Sequence, residues 1–235
     1  MTAHTRINSG LLAASEKRLL IGIAERLPGW VHSDLLTLLG ITAMGLAGAG
    51  FALARWDSRA LWLVIAGLTL NWFGDSLDGT LARVRHVERP RYGYYVDHAL
   101  DLAGTTLLMA GLALSGYMTP VVAMAVLVGY LLAAGEVFLA TTVRGEFHMS
   151  VAGVGPTELR IILAIGTLTL FRDPHVGPFT LFDFGGAIAA AGMGIAFCVA
   201  VARNASALCH EERKDVRTTQ VTKSTNATLE EATQG

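Results

Sequence analysis

Apolar residues fill long runs along most of the chain, broken by short polar turns rather than by the alternation of a half-buried sheet. Six runs are expected to cross a hydrocarbon core of about 30 Å. They cover about 34–54, 60–84, 93–116, 120–142, 157–171 and 180–202. Ser33-Asp34 reads as a helix start, Pro120 opens the fourth run, and Gly155-Pro156 precedes the fifth. Tyr92, Tyr94 and Tyr95 mark an interface before the third. The sixth carries Gly185, Gly186, Gly192 and Gly194, which permit close helix contacts. Ahead of these runs, Leu11–Leu27 interleaves Leu12, Leu19 and Ile23 with Glu16, Lys17, Arg18, Glu25 and Arg26. That stripe predicts an amphipathic helix lying on the membrane surface, ended by Pro28-Gly29. The expected class is therefore an all-α integral membrane protein with six transmembrane helices behind an N-terminal interfacial helix. Residues 1–32 form the interfacial segment, 33–203 the membrane domain, and 204–235 a polar tail expected to be disordered.

Composition agrees with this pattern. The 235 residues are 52% hydrophobic and 16% charged, against about 25% charged in soluble domains. Cys198 and Cys209 make no disulfide framework. A net charge of −1 makes no case for a nucleic-acid partner, and none is expected. The polar and amphipathic first residues do not read as a cleavable signal peptide. Arginines and lysines decide orientation. With the N-terminus inside, the cytoplasmic side receives Arg6, Lys17, Arg18, Arg26, Arg83, Arg85, Arg89, Arg91, Arg144 and the tail cations. The outer side receives Arg55, Arg59 and Arg172. The positive-inside rule then places both termini in the cytoplasm of a cell-membrane protein, with any site at that end open to the cytosol.

Within the second and third runs stand four aspartates, Asp75, Asp78, Asp97 and Asp101. A carboxylate in hydrocarbon costs a few kcal/mol or more, so the four are expected to face one polar cavity. With almost no local Lys, their natural counter-charges are divalent cations. Asp75, Asp78 and Ala82 share a helical face, and Asp97 and Asp101 are one turn apart on the next helix. A short turn joins the two helices, which are expected to be antiparallel neighbours. Gly79 removes a side chain beside the acids, and Arg83 offers a fork suited to phosphate.

The pattern D-x2-D-G-x2-A-R-x9-G-x3-D-x3-D, from Asp75 to Asp101 with Gly93 at its fixed glycine, resembles the signature of the CDP-alcohol phosphotransferase family of phospholipid synthesis. The signature covers about 27 residues, and the six-span plan resembles the family's out to about residue 203. The resemblance implies that Asp75, Asp78, Asp97 and Asp101 hold two divalent ions, Mg²⁺ or Mn²⁺. Asp75, Gly79, Ala82 and Arg83 would form the cytidine and phosphate end. Asp101 would deprotonate an acceptor alcohol that attacks the β-phosphorus of a CDP-linked donor and expels CMP. CDP-diacylglycerol is the favoured donor, and CDP-choline or CDP-ethanolamine with diacylglycerol is the alternative. A homodimer embedded in membrane lipid is also implied.

Other polar positions carry weaker expectations. Gly155-Pro156-Thr157-Glu158 and Asp97-His98 resemble short motifs of the choline and ethanolamine branch of that family. Glu136 either pairs with Arg160 or serves substrate, while Arg144, His148 and Arg160 are candidates to hold a phosphorylated acceptor. His86 and His98 read as interfacial or supporting residues, and Trp30, Trp62 and Trp72 as interface and packing residues. An intramembrane prenyltransferase would place its second acidic motif far downstream. A cation transporter would show broken spans and an internal repeat. Neither pattern is present.

Overall fold

The computed structural model describes residues 13–144, 156–172 and 175–234, with backbone alone at 13–15, 144, 156, 158 and 215–234. Seven helices follow one another: α1 Ala13–Ala24, α2 Ser33–Ala54, α3 Leu61–Val84, α4 Pro90–Ser115, α5 Pro120–Arg144, α6 Pro156–Thr169 and α7 Leu181–Gln234. A single 3₁₀ turn, Ser58–Ala60, leads into α3. A two-stranded hairpin, His175–Val176 against Phe179–Thr180, precedes α7. Its turn residue Gly177 sits at φ +63°, which suits glycine. Apolar periodicity did not announce this hairpin, because each strand has only two residues.

Five helices are long and apolar enough to cross a membrane: α2, α3 with its leading turn, α4, α5 and the first part of α7. The chain is a multi-pass membrane protein. The expected fifth run becomes α6, whose 14 residues reach about 21 Å, short of a full hydrocarbon core. Beyond residue 203, where a disordered tail is expected, α7 continues without a break to Gln234. No glycine or proline occurs between Gly194 and Gly235 to stop it.

The arrangement corrects one expectation of neighbourhood. α3 and α4 are joined by a short turn, yet each packs on α2 and they make at most marginal contact with each other. Small residues explain why α2 takes the centre. A Cβ on Gly74 would lie 2.8 Å from the Gly40 nitrogen, so α2 and α3 touch backbone to backbone. On the other side of α2, the three atoms nearest to a Cβ on Gly111 would all be Gly48 backbone. The α3–α4 turn uses His86 at φ +54°. Pro90 then opens α4 at a position that needs no amide donor, and Gly116 ends it in the left-handed region.

Two apolar clusters bracket the acidic residues. The larger, around Phe51, Leu61, Val64, Leu112 and Phe182, lies toward the end of α2 and the start of α3. Phe51 and Phe182 meet edge to face at 5.7 Å there. The smaller cluster holds Leu20 and Ala24 of α1 against Leu36, Leu77 and Leu81. Arg85 fastens this end by donating to the carbonyls of Leu27 and Pro28 at 3.0 Å and of Val31 at 2.5 Å. Outward, α5 and α7 present bare apolar side chains such as Val121, Leu139, Ile188 and Ile195, as lipid-facing helices do.

Candidate active site

One end of the bundle gathers the start of α2, the end of α3, the start of α4, the end of α5 and the start of α6. Every candidate residue with a described side chain lies there. Asp75 accepts from the Arg160 guanidinium of α6, nitrogen to Oδ2 at 2.6 Å. The pair is partly buried, with side-chain exposures of 24% for Asp75 and 15% for Arg160. Arg160 Nε donates to Asn71 Oδ1 at 2.7 Å, and Asn71 Nδ2 donates to the Gly40 carbonyl at 3.0 Å. Helices α6, α3 and α2 are thus tied in series through one buried amide. Asn71 lies one turn before Asp75 on the same stripe, which is the signal the sequence offered for it.

Asp78 turns toward α2, where the Thr37 hydroxyl lies 2.7 Å from its Oδ2 and 3.0 Å from the Ser33 carbonyl. Ser33 was read as a helix cap, but its hydroxyl donates instead to the Asp78 carbonyl at 2.9 Å. His32 occupies the cap position. Arg83 folds back along α3: its guanidinium donates to Thr80 at 3.1 Å and lies 3.5 Å from where a Gly79 Cβ would stand. Gly79 thereby leaves room for a charged fork over bare backbone, and Ala82 keeps the next turn low. On α4, Asp97 and Asp101 are half-buried. Asp101 lies within electrostatic reach of Tyr130 on α5, as do Asp75 and Arg160, and Tyr130 is hydrogen-bonded to Thr105. His98 packs its ring against Tyr94 at 4.3 Å and Phe138 at 5.2 Å.

The structure separates residues that the sequence placed together. Glu136 accepts from Asn204 at 2.6 Å while Arg160 serves Asp75, so the Glu136–Arg160 pair is not formed. Arg144, His148 and Glu158 fall outside the residues whose side chains are described. Nor do the four aspartates form one compact ligand set. Among the described residues no three His, Cys, Asp or Glu side chains are placed to share an ion. The carboxylates suit hard divalent cations in chemistry, but in this arrangement Arg160 and Thr37 engage two of them and the set does not fit a metal. Helices α3 and α4 both pack on α2, and a cation of α6, Arg160, takes up Asp75.

Glu16 went unnoticed as a site residue. Its Oε1 accepts from Trp72 Nε1 at 2.7 Å, Thr157 Oγ1 at 2.9 Å and, weakly, Ser76 Oγ at 3.4 Å. One carboxylate of α1 therefore joins the two helices that carry Asp75 and Arg160. Beside it opens a cleft of about 400 Å³, walled by Leu19, Leu68, Ile161 and Ala164 and ending at Arg160.

No curated protein matches the chain. The family model described as CDP-alcohol phosphatidyltransferase matches residues 30–202, from the α1–α2 turn into α7 and across every signature residue. The chain belongs to the CDP-alcohol phosphatidyltransferase family, phosphotransferases that pass a phosphate-alcohol group from a CDP-alcohol to an acceptor.

Proposed function

We propose that the chain is a phospholipid-synthesis enzyme that uses CDP-diacylglycerol as donor and a small alcohol as acceptor, releasing CMP. The observation that carries this reading is the gathering of Asp75, Asp78, Gly79, Ala82, Arg83, Asp97 and Asp101 at one end of the bundle within the matched region. Arg83, lying over Gly79, is suited to grip the diphosphate with two parallel donors. Phosphoryl transfer asks for positioning and charge neutralisation more than for covalent help. Asp101 accepts the hydroxyl proton as the acceptor oxygen attacks the β-phosphorus. The bond to the CMP phosphate breaks, and CMP departs with that oxygen. The apolar cleft ending at Arg160 favours a lipid-borne substrate, since it offers an acyl chain walls and a headgroup a cation.

In the membrane, α1 lies at the interface with Lys17, Arg18 and Leu19 exposed, and α6 serves as a sixth, shorter segment. The distribution of arginines supports cytoplasmic termini in the cell membrane, with the site facing the cytosol. The bare α5 and α7 faces, where Gly135, Gly185, Gly192 and Gly194 meet no neighbour, support a homodimer. The test is CMP release by purified protein in detergent with Mg²⁺ or Mn²⁺. CDP-diacylglycerol is offered with a panel of alcohols, and CDP-choline and CDP-ethanolamine with diacylglycerol. CMP from CDP-diacylglycerol alone is expected. CMP only from the amino-alcohol donors would reverse the donor assignment.

A further inference from the structure

Glu16 stands on α1, upstream of the residues 30–202 that the family model matches, so the family signature gives it no role. Its partners lie around the Asp75–Arg160 pair. Trp72 and Ser76, which donate to Oε1 at 2.7 and 3.4 Å, stand three residues before and one after Asp75 on α3. Thr157, which donates at 2.9 Å, stands three residues before Arg160 on α6. Asn71 holds the same guanidinium at 2.7 Å and is anchored to α2 through the Gly40 carbonyl. The 2.6 Å pair is therefore bracketed by two anchors, one reaching α1 and the other α2. α1 does not need Glu16 to stay docked. Leu20 and Ala24 are buried against Leu36, Leu77 and Leu81, and Arg85 ties the α1–α2 turn to α3. A half-buried carboxylate is costly to desolvate, and an apolar side chain would serve docking as well. Its directional bonds instead set how α3 and α6 lie against each other, within one turn of the acid and its cation.

We propose that Glu16 is a positioning residue for the transfer reaction, acting through Thr157 and Trp72 to keep Arg160 on Asp75. The inference rests on the CMP-releasing activity proposed above and holds for any CDP-linked donor. Asp75 is the first carboxylate of the signature, and the cleft walled by α1, α3 and α6 ends at its partner Arg160. A change in the spacing of α3 and α6 shifts the fork relative to the carboxylate. A displacement of about 1 Å arising far from the chemistry can cost on the order of 100-fold in rate. Glu16 acts through the neighbours of the signature rather than on substrate. Because its bonds leave from α1, the seating of that helix on the bundle becomes a condition of turnover and not of folding alone.

The experiment compares initial rates of CMP release by the full-length protein in detergent, with the donor and acceptor that wild type uses, alongside unfolding temperatures. Glu16→Ala is expected to lower kcat by roughly 10- to 100-fold, with the KM for the CDP-linked donor changed little. Glu16→Gln keeps a carbonyl oxygen for Trp72 and Thr157, so it is expected to recover most of that rate. Thr157→Val removes one donor, and its loss is expected not to add to that of Glu16→Ala. Leu20→Ala loosens the packing of α1 without touching those bonds. It is expected to lower the unfolding temperature while the folded protein keeps its turnover. If Glu16→Ala does not fold, Thr157→Val carries the test, and a rate loss that Leu20→Ala does not share is expected. Wild-type kcat in the folded variant, a loss that Leu20→Ala matches, or fully additive losses with Thr157→Val overturn the positioning role and leave the CMP-releasing reading standing. No CMP from wild type with any donor overturns that reading, and this inference with it.

Discussion

Asn71→Leu tests the link between the acidic site and the helix packing that supports it. Leucine matches the branching and heavy-atom count of asparagine and favours helix, so the change removes polar bonds without opening a hole. Two bonds are lost: the 2.7 Å acceptance from Arg160 and the 3.0 Å donation to the Gly40 carbonyl. The first is charge-assisted, worth about 1.5–3 kcal/mol, and the second is neutral, worth about 0.5–1.5 kcal/mol. Arg160 is 15% exposed and recovers part of its loss from water. The leucine side chain returns about 1 kcal/mol by apolar burial. A net destabilisation of about 1–3 kcal/mol is left, a fall of several degrees in unfolding temperature for a chain of this size. Thermal unfolding in detergent reads the effect. The same substitution in an Arg160→Gln background should cost less, because only the Gly40 bond remains to lose. If Asn71→Leu unfolds at the wild-type temperature, or costs as much without Arg160, the amide does not join the three helices as argued.

Asp101→Asn is expected to lower CMP release by roughly 100-fold or more, the usual contribution of a positioned base, with CDP-donor binding by calorimetry nearly unchanged. Retained turnover would remove Asp101 from that role. Gly111→Ala puts a methyl against Gly48 backbone that no rotamer can relieve. It should therefore cost about 1–3 kcal/mol. Gly135→Ala, with open space around it, should be neutral or slightly stabilising. Equal unfolding temperatures for the two would mean that α2 and α4 do not cross at these glycines.

The family signature was legible because its spacing is local. Asp75, Asp78, Ala82 and Arg83 lie on consecutive turns of one helix, and Asp97 and Asp101 one turn apart on another, so a linear pattern captures them. The membrane helices were legible because a lipid-facing residue must be apolar whatever it touches. What the sequence concealed depends on which helix lies beside which. The short α3–α4 turn suggested direct neighbours, but the close approach of Gly40 to Gly74 and of Gly48 to Gly111 made α2 the shared partner. With α2 as the shared neighbour, Asp75 takes Arg160 of α6 and Asp78 takes Thr37 of α2 as partners.

The same logic explains why Arg160 was assigned a different partner. From sequence, Glu136 is an intramembrane acid and Arg160 an intramembrane base, and mutual pairing satisfies both. In three dimensions α5 packs against α7, and Glu136 meets Asn204, while α6 packs against α3 and Arg160 meets Asp75 and Asn71. Charge balance alone favours any acid for any base; helix adjacency selects among them. The selection has a functional edge. A pair with Glu136 would have kept Arg160 away from the acidic signature, whereas the pair with Asp75 puts the only described cation of α6 on that signature's first carboxylate. Glu16 extends the same control to the N-terminal helix, since Thr157, three residues before Arg160 on α6, donates to it. The position of Arg160, and with it the counter-charge set against Asp75, is therefore fixed jointly by α1, α2, α3 and α6.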